Sequence, residues 1–196
     1  MTTFVRSLVV VVLATLIFGF AYPALMTAFA SIAFPGQSTG SLVHRNGTVV
    51  GSRLAAQDFT WPRYFHPRPS ATTPAYNAGG TTFSNLGPTS PGLAKLVAEN
   101  VKTILKLERP YNPGLTVGRI PVDAVTPSGS GIDPHISPAY AQLQARRVAA
   151  VRHLPLAAVR SLIARNTDGR GLGFFGEPGV NVLGLNLALD GLKGAR

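Results

Sequence analysis

Residues 8–30 read LVVVVLATLIFGFAYPALMTAFA, twenty-three side chains without a charge. A helix of this length, at ~1.5 Å rise per residue, reaches ~34 Å, slightly more than a ~30 Å hydrocarbon core. A secretory leader would use Arg6 as its basic end and Ala28-Phe29-Ala30 as its cleavage site. The apolar part of such leaders runs only ~7–15 residues, however, so the length favours a retained transmembrane helix. Pro23 interrupts the run beside Tyr22, and in a bilayer the carbonyl it frees is resatisfied when other helices pack against it. A short N-terminal tail bearing Arg6 favours an inside N-terminus and places the rest of the chain outside.

Working outward, the sequence predicts an anchor over residues 1–34 and one domain over 35–196, long enough for a real core. The fold class expected is α+β: one membrane helix, then a mixed domain with a small sheet and about three helices. No cysteine is present, which removes disulfides and thiolate chemistry. The formal net charge of +10 points to nucleic acid, anionic headgroups, an acidic partner or simple solubility. The interleaved aromatics of a single-strand binder are missing. Only 133–168 is a basic cluster, with Arg146, Arg147, Arg152, Arg160 and Arg165 and no acid between its end residues.

After the anchor, Asn46-Gly47 between two short β-rich runs predicts a two-residue hairpin. Residues 53–57 read equally as helix or extended chain. Residues 58–92 carry six prolines and four glycines with Trp61, Tyr64, Phe65, Tyr76 and Phe83 among them. These aromatics argue for an ordered, irregular, functional segment rather than a disordered linker. Apolar residues at three- and four-residue steps predict a helix over 93–107. Residues 120–125 read as a short strand with Pro121 near its start. Ser137-Pro138 opens a helix to about residue 153, and a third follows over 155–165. The apolar run 180–187 reads as a buried central strand.

Chemistry-bearing patterns are sparse. There is no phosphate-binding loop, and the four histidines lack metal spacing. Ser128-Gly129-Ser130-Gly131 lacks the glycine that a nucleophile elbow has two residues before its serine. Ser130, Asp133 and His135 read as a turn bonded to its own backbone. His66, among aromatics and prolines, suits shape better than proton transfer. Eight acids supply no paired carboxylates for acid–base work. Enzymatic activity in this chain is not expected.

An ordered series of short motifs carries a resemblance. It runs through Gly40-Ser41-Leu42, Gln57-x-Phe59, Tyr64-Phe65-His66-x-Arg68-Pro69-Ser70-Ala71, Tyr76-Asn77 and Ser84-Asn85-Leu86-Gly87. It continues through Pro121-Val122-Asp123, Gly131-Ile132-Asp133, Ile136-Ser137-Pro138, Gln144, Arg147-Val148-Ala149 and Arg152. It closes on Gly176-Glu177-Pro178 and Val180-Asn181-Val182-Leu183-x-Leu185-Asn186-Leu187. Over nearly its whole length the chain resembles the C subunit of the bacterial Kdp potassium-transporting P-type ATPase. Departures are small: Ala55-Ala56 where the family often has Ile-Gly, and Thr82-Phe83 where it has Gly-Gly.

The resemblance implies an accessory subunit of the cytoplasmic membrane, single-pass, with an extracytoplasmic domain. Its partners would be the channel-like potassium-binding subunit and the P-type ATPase subunit, not nucleic acid. Those chains, rather than this one, would use ATP, Mg and potassium, and no cofactor is expected here. The family is described as a catalytic chaperone that raises the ATP affinity of the ATPase subunit, a glutamine matching Gln144 being proposed to touch nucleotide. A domain held outside by residues 8–30 does not reach cytoplasmic ATP directly. Arg68, Ser70, Asn85, Asp133, Gln144 and Arg147 are therefore candidates for partner or nucleotide contact. The plainer expectations are a buried hydrogen bond for Gln144, a surface cation for Arg147, and a brace for the proline-rich loop from Arg68 and Ser70. Residues 58–92 and the Arg-rich helices would form the docking surface. The alternative is a membrane-anchored or secreted binding module outside any transporter.

Overall fold

The computed structural model describes residues 2–192. The chain divides into two compact units, residues 1–50 and residues 51 onward. The first holds α1 (Thr3–Leu16), a π-helical turn (Ile17–Ala21), α2 (Tyr22–Ala33) and the short α3 (Pro35–Ser38). From Thr3 to Ala33 the helix is continuous, 31 residues with a mean hydropathy of 2.4 in its most apolar stretch, and long and apolar enough to cross a membrane. The π turn lies just before Pro23, and within it the Tyr22 N–H bonds back to Ile17 O, five residues earlier. Gly19, whose carbonyl a regular helix would pair with the N–H that Pro23 lacks, sits inside that widened turn. The interruption expected at Pro23 thus takes the form of a local bulge.

β1 (Leu42–Arg45) and β2 (Thr48–Ser52) pair as the expected hairpin. Asn46 and Gly47 have φ of 52° and 78°, the positive values that a type I′ turn requires of both central residues.

In the second unit the irregular segment leads into α4 (Pro91–Glu108). Next come two 3₁₀ turns (Val117–Arg119 and Val122–Ala124) and β3 (His135–Ile136). α5 (Pro138–Val151), α6 (Leu156–Arg165), β4 (Thr167–Asp168), β5 (Gly179–Asn181) and α7 (Val182–Asp190) complete it. β5 is the middle strand of a three-stranded antiparallel sheet, ordered β3-β5-β4. Val180, fully buried, faces Ile136 on one side and Thr167 on the other. The core joins Phe65, Ile104, Val148, Val159, Ile163, Val180, Leu185 and Leu189.

Two predicted strands are corrected. Within residues 120–125, Val122–Ala124 form a 3₁₀ turn, with Val125 N–H bonding Val122 O, and Asp123 turns back to accept from Ser137 N and Oγ at 2.7 and 2.9 Å. In the run 180–187 only the first two residues are strand. Asn181 then caps a helix, its Oδ1 accepting from Gly184 N at 3.0 Å. A continuous apolar run has no period that separates strand from buried helix, so the cap decides.

The Ser137 cap holds as read, accepting from Tyr140 N. α5 closes with His153 in the left-handed region at φ 54°, Leu154 N–H reaching Ala149 O and His153 N–H reaching Ala150 O. That pair of bonds is the Schellman arrangement.

Candidate functional site

Residues 62–66 belong to no helix or strand, yet they lead from exposed Pro62 into the interior at Phe65, which is fully buried. Buried backbone polar groups must find partners, and here side chains provide them. Arg147 donates through Nη1 to Pro62 O and to Tyr64 O, the latter at 2.9 Å. Arg152 Nε donates to Arg63 O at 2.7 Å. Asn186 accepts from Phe65 N through Oδ1 and donates to Phe65 O through Nδ2, both at 2.9 Å. Gln144 does the same for His66, accepting from its N–H at 2.8 Å and donating to its carbonyl at 3.0 Å. Five successive carbonyls are thereby bonded by four side chains of α5, its C-cap and α7.

The donors are themselves held. Arg147 Nε meets Glu108 Oε1 at 2.7 Å with both side chains at 0% exposure, and Arg147 Nη2 reaches Gln144 Oε1 at 2.8 Å. Arg152 pairs with Asp190 at 2.7 Å and lies over the Tyr64 ring at 4.7 Å, while Tyr64 donates its hydroxyl to the other Asp190 oxygen. Burial pushes the Glu108 carboxyl upward, and the Arg147 charge and hydrogen bond pull it back. His66 is lowered to about 4, first by burial and then by the Arg147 charge, so its ring is neutral near pH 7. Its Nε2 lies 3.1 Å from Trp61 O. This arrangement suits shape, in line with the sequence expectation.

A second network braces the loop that follows. Arg68 donates to Asp133 Oδ2 and to Pro127 O, both at 3.2 Å, and Ser70 Oγ donates to Gly131 O at 2.6 Å. The same Ser70 hydroxyl receives Thr72 N and Tyr76 N, and Tyr76 donates its own hydroxyl to Arg68 O. Gly131, at φ 72°, has no room for a Cβ, which would meet Thr82 O at 2.7 Å. Asp133 Oδ1 accepts His135 N, and Ser130 Oγ accepts Ile132 N. Ser130, Asp133 and His135 therefore form the self-bonded turn expected of them.

Of the six candidates, Gln144 and Arg147 share one network, and Arg68, Ser70 and Asp133 share the other. Asn85, exposed at a φ of 52°, belongs to neither. Gln144 makes the buried hydrogen bond expected. Arg147 corrects the expectation of a surface cation, because Glu108, one helix away, neutralises it inside the core. Arg152, 4% exposed, likewise leaves the basic face, so the Arg cluster is split between interior and surface. Sequence reading missed Glu108 and Asn186 as members of the site. Each left a trace: Glu108 falls four residues after Ile104 on the buried stripe of α4, and Asn186 interrupts an apolar run.

It also missed an apolar tip. Gly171 and Phe175 bond each other's N–H and C=O at 2.8 Å, closing a tight turn. The turn carries Leu172, Phe174 and Phe175 at 86, 64 and 60% exposure. The two rings lie 4.1 Å apart, and Arg170 and Glu177 pair across the base. Trp61 is also exposed, at 68%.

Comparison with known proteins agrees with the motif series. The family profile described as K+-transporting ATPase, c chain, matches residues 4–191. The potassium-transporting ATPase KdpC subunit of Methylococcus capsulatus is 51% identical over 97% of this chain and 98% of its own. That of Sorangium cellulosum is 54% identical over 95% and 96%. That of Burkholderia orbicola is 50% identical over the whole of both. The chain therefore belongs to the KdpC family of K+-transporting ATPase subunits.

Proposed function

We propose that this chain is the non-catalytic accessory subunit that stabilises the assembly of a potassium-binding channel-like subunit with a P-type ATPase subunit. Residues 1–34 anchor it in the cytoplasmic membrane with the N-terminus inside, and residues 35–196 stand outside. Potassium, Mg and ATP are handled by the other chains. One observation carries the reading: Gln144 and Arg147 are spent inward while apolar side chains face out. The Gln144 carboxamide uses both ends on His66 at zero exposure, leaving neither end for a nucleotide. Trp61 and the Leu172–Phe174–Phe175 tip instead present exposed apolar surface of the kind that marks protein contact sites. A rise in ATP affinity of the ATPase subunit is then a consequence of assembly, not of nucleotide bound to Gln144.

Affinity purification of the full chain in mild detergent tests this. Co-recovery of a channel-like chain and a P-type ATPase chain is expected, and recovery of the chain alone overturns the proposal. A secreted module would instead show a mature N-terminus at Ser31 on terminal sequencing.

A further inference from the structure

Residues 58–76 and α4, with Tyr111, Ala124 and Tyr140, line an open cleft of about 590 Å³, within the size range of small-ligand sites. Its walls include Phe59, Pro62, Ile104, Leu107, Tyr111 and Tyr140. Four of the polar side chains that line it bond elsewhere. Asn100 donates to Val125 O at 2.9 Å, Thr103 to Glu99 O at 3.1 Å and Tyr76 to Arg68 O at 3.0 Å, while the His66 ring is neutral and held at Trp61 O. With these four withdrawn, the cleft presents mainly apolar side chains.

Along α4 it adjoins a shallower depression that shares Lys106 and Pro110 with it and adds Lys102, Leu105 and Arg109. Lys102, Lys106 and Arg109 fall at four- and three-residue steps, on one side of the helix. Like charges at that spacing repel, and among the described residues no ion pair includes Lys102 or Lys106. Asp58 is the only carboxylate lining the cleft, and it is exposed. An apolar cleft opening beside three cations complements a molecule with one anionic head and an apolar tail.

We propose that this cleft binds an anionic phospholipid, its acyl chain against Phe59, Ile104 and Tyr140 and its phosphate on Lys102, Lys106 and Arg109. The proposal rests on the membrane anchoring inferred above. Only residues 34–50 separate the long helix from the second unit, a tether of at most roughly 60 Å. Lipid is thus the amphiphile at high effective concentration.

The test uses the full chain in phosphatidylcholine vesicles containing a phosphatidylglycerol with a photoactivatable diazirine at its acyl end. After irradiation and digestion, adducts are expected in residues 3–33 and also in the cleft peptides around Phe59 and Ile104. A Lys102→Glu/Lys106→Glu variant should lose the cleft adducts roughly tenfold and keep those on the helix. Thr103→Trp, which fills the cleft, should lose them without any change in charge. Adducts on the helix alone overturn the lipid site and leave anchoring intact, the result also expected if a partner polypeptide is the true occupant. Absence of helix adducts overturns the anchoring itself. Equal cleft labelling by a diazirine phosphatidylcholine, or labelling indifferent to both variants, overturns the anionic-lipid assignment.

Discussion

The side-chain amides of Gln144 and Asn186 bond the backbones of two consecutive residues, His66 and Phe65, each as both donor and acceptor. A stretch without regular structure thereby has its backbone groups bonded by residues 78 and 121 positions away. Gln144→Met and Asn186→Leu roughly preserve volume, so their cost reports the hydrogen bonds. Each should destabilise the chain by about 2–3 kcal/mol, because a backbone amide and a carbonyl lose their partners, and Gln144→Met also takes the acceptor from Arg147 Nη2. Urea midpoints would measure it, and the double variant should depart from additivity, since the two grips share one segment.

Arg147 and Glu108 form a fully buried pair. Arg147→Met leaves the Glu108 carboxylate uncompensated and should cost about 3–5 kcal/mol. Adding Glu108→Leu removes the stranded charge and should recover at least about 1 kcal/mol, although the Pro62 and Tyr64 carbonyls stay unbonded. Denaturant titration of the two variants decides it. A double variant less stable than the single would contradict the account.

His66 gives a pH dependence whose sign is set by its depressed value, about 4 against 6.5 for the free side chain. Between those limits the unfolded chain binds the additional proton. The stability is therefore complete above about pH 6.5 and is lost as pH falls toward 4, by at most about 3 kcal/mol. Glu108, shifted upward, acts in the opposite sense, its contribution falling as pH rises. The stability difference between wild type and His66→Gln isolates the histidine and should narrow as pH drops from 6.5 to 4.

His153 occupies the left-handed C′ position of α5 with its side chain exposed. His153→Gly should stabilise the chain by about 0.5–1 kcal/mol, relieving Cβ strain without removing a buried contact. Thermal unfolding would show a raised midpoint. A lowered midpoint would mean the imidazole does more than cap.

What could be read from sequence was what is decided locally. Asn46-Gly47 makes a hairpin, and Ser137-Pro138 starts a helix whatever the rest of the chain does. The helix over 91–108 showed in its period, and the long helix showed in its unbroken apolarity. The failures share a cause in distance along the chain. Arg147 lies three residues after Gln144 on the buried face of α5, unlike exposed Arg146, but Glu108, which neutralises it there, is 39 residues away. Residues 182–187 are helix because Asn181 spends its side chain on a cap. The same carboxamide's Nδ2 donates to Arg53 O, again a long-range partner. The motif block 64–70 pointed to the right residues. It could not reveal that their work is to hold one another.

The central claim is that Gln144 and Arg147 organise residues 62–66 and do not wait for a nucleotide. Amide hydrogen exchange at Phe65 and His66 in the full chain, with and without Mg-ATP, tests it most directly. The account predicts strong protection at both amides without nucleotide and no change on its addition. Rapid exchange that becomes protected only when Mg-ATP is present would contradict it.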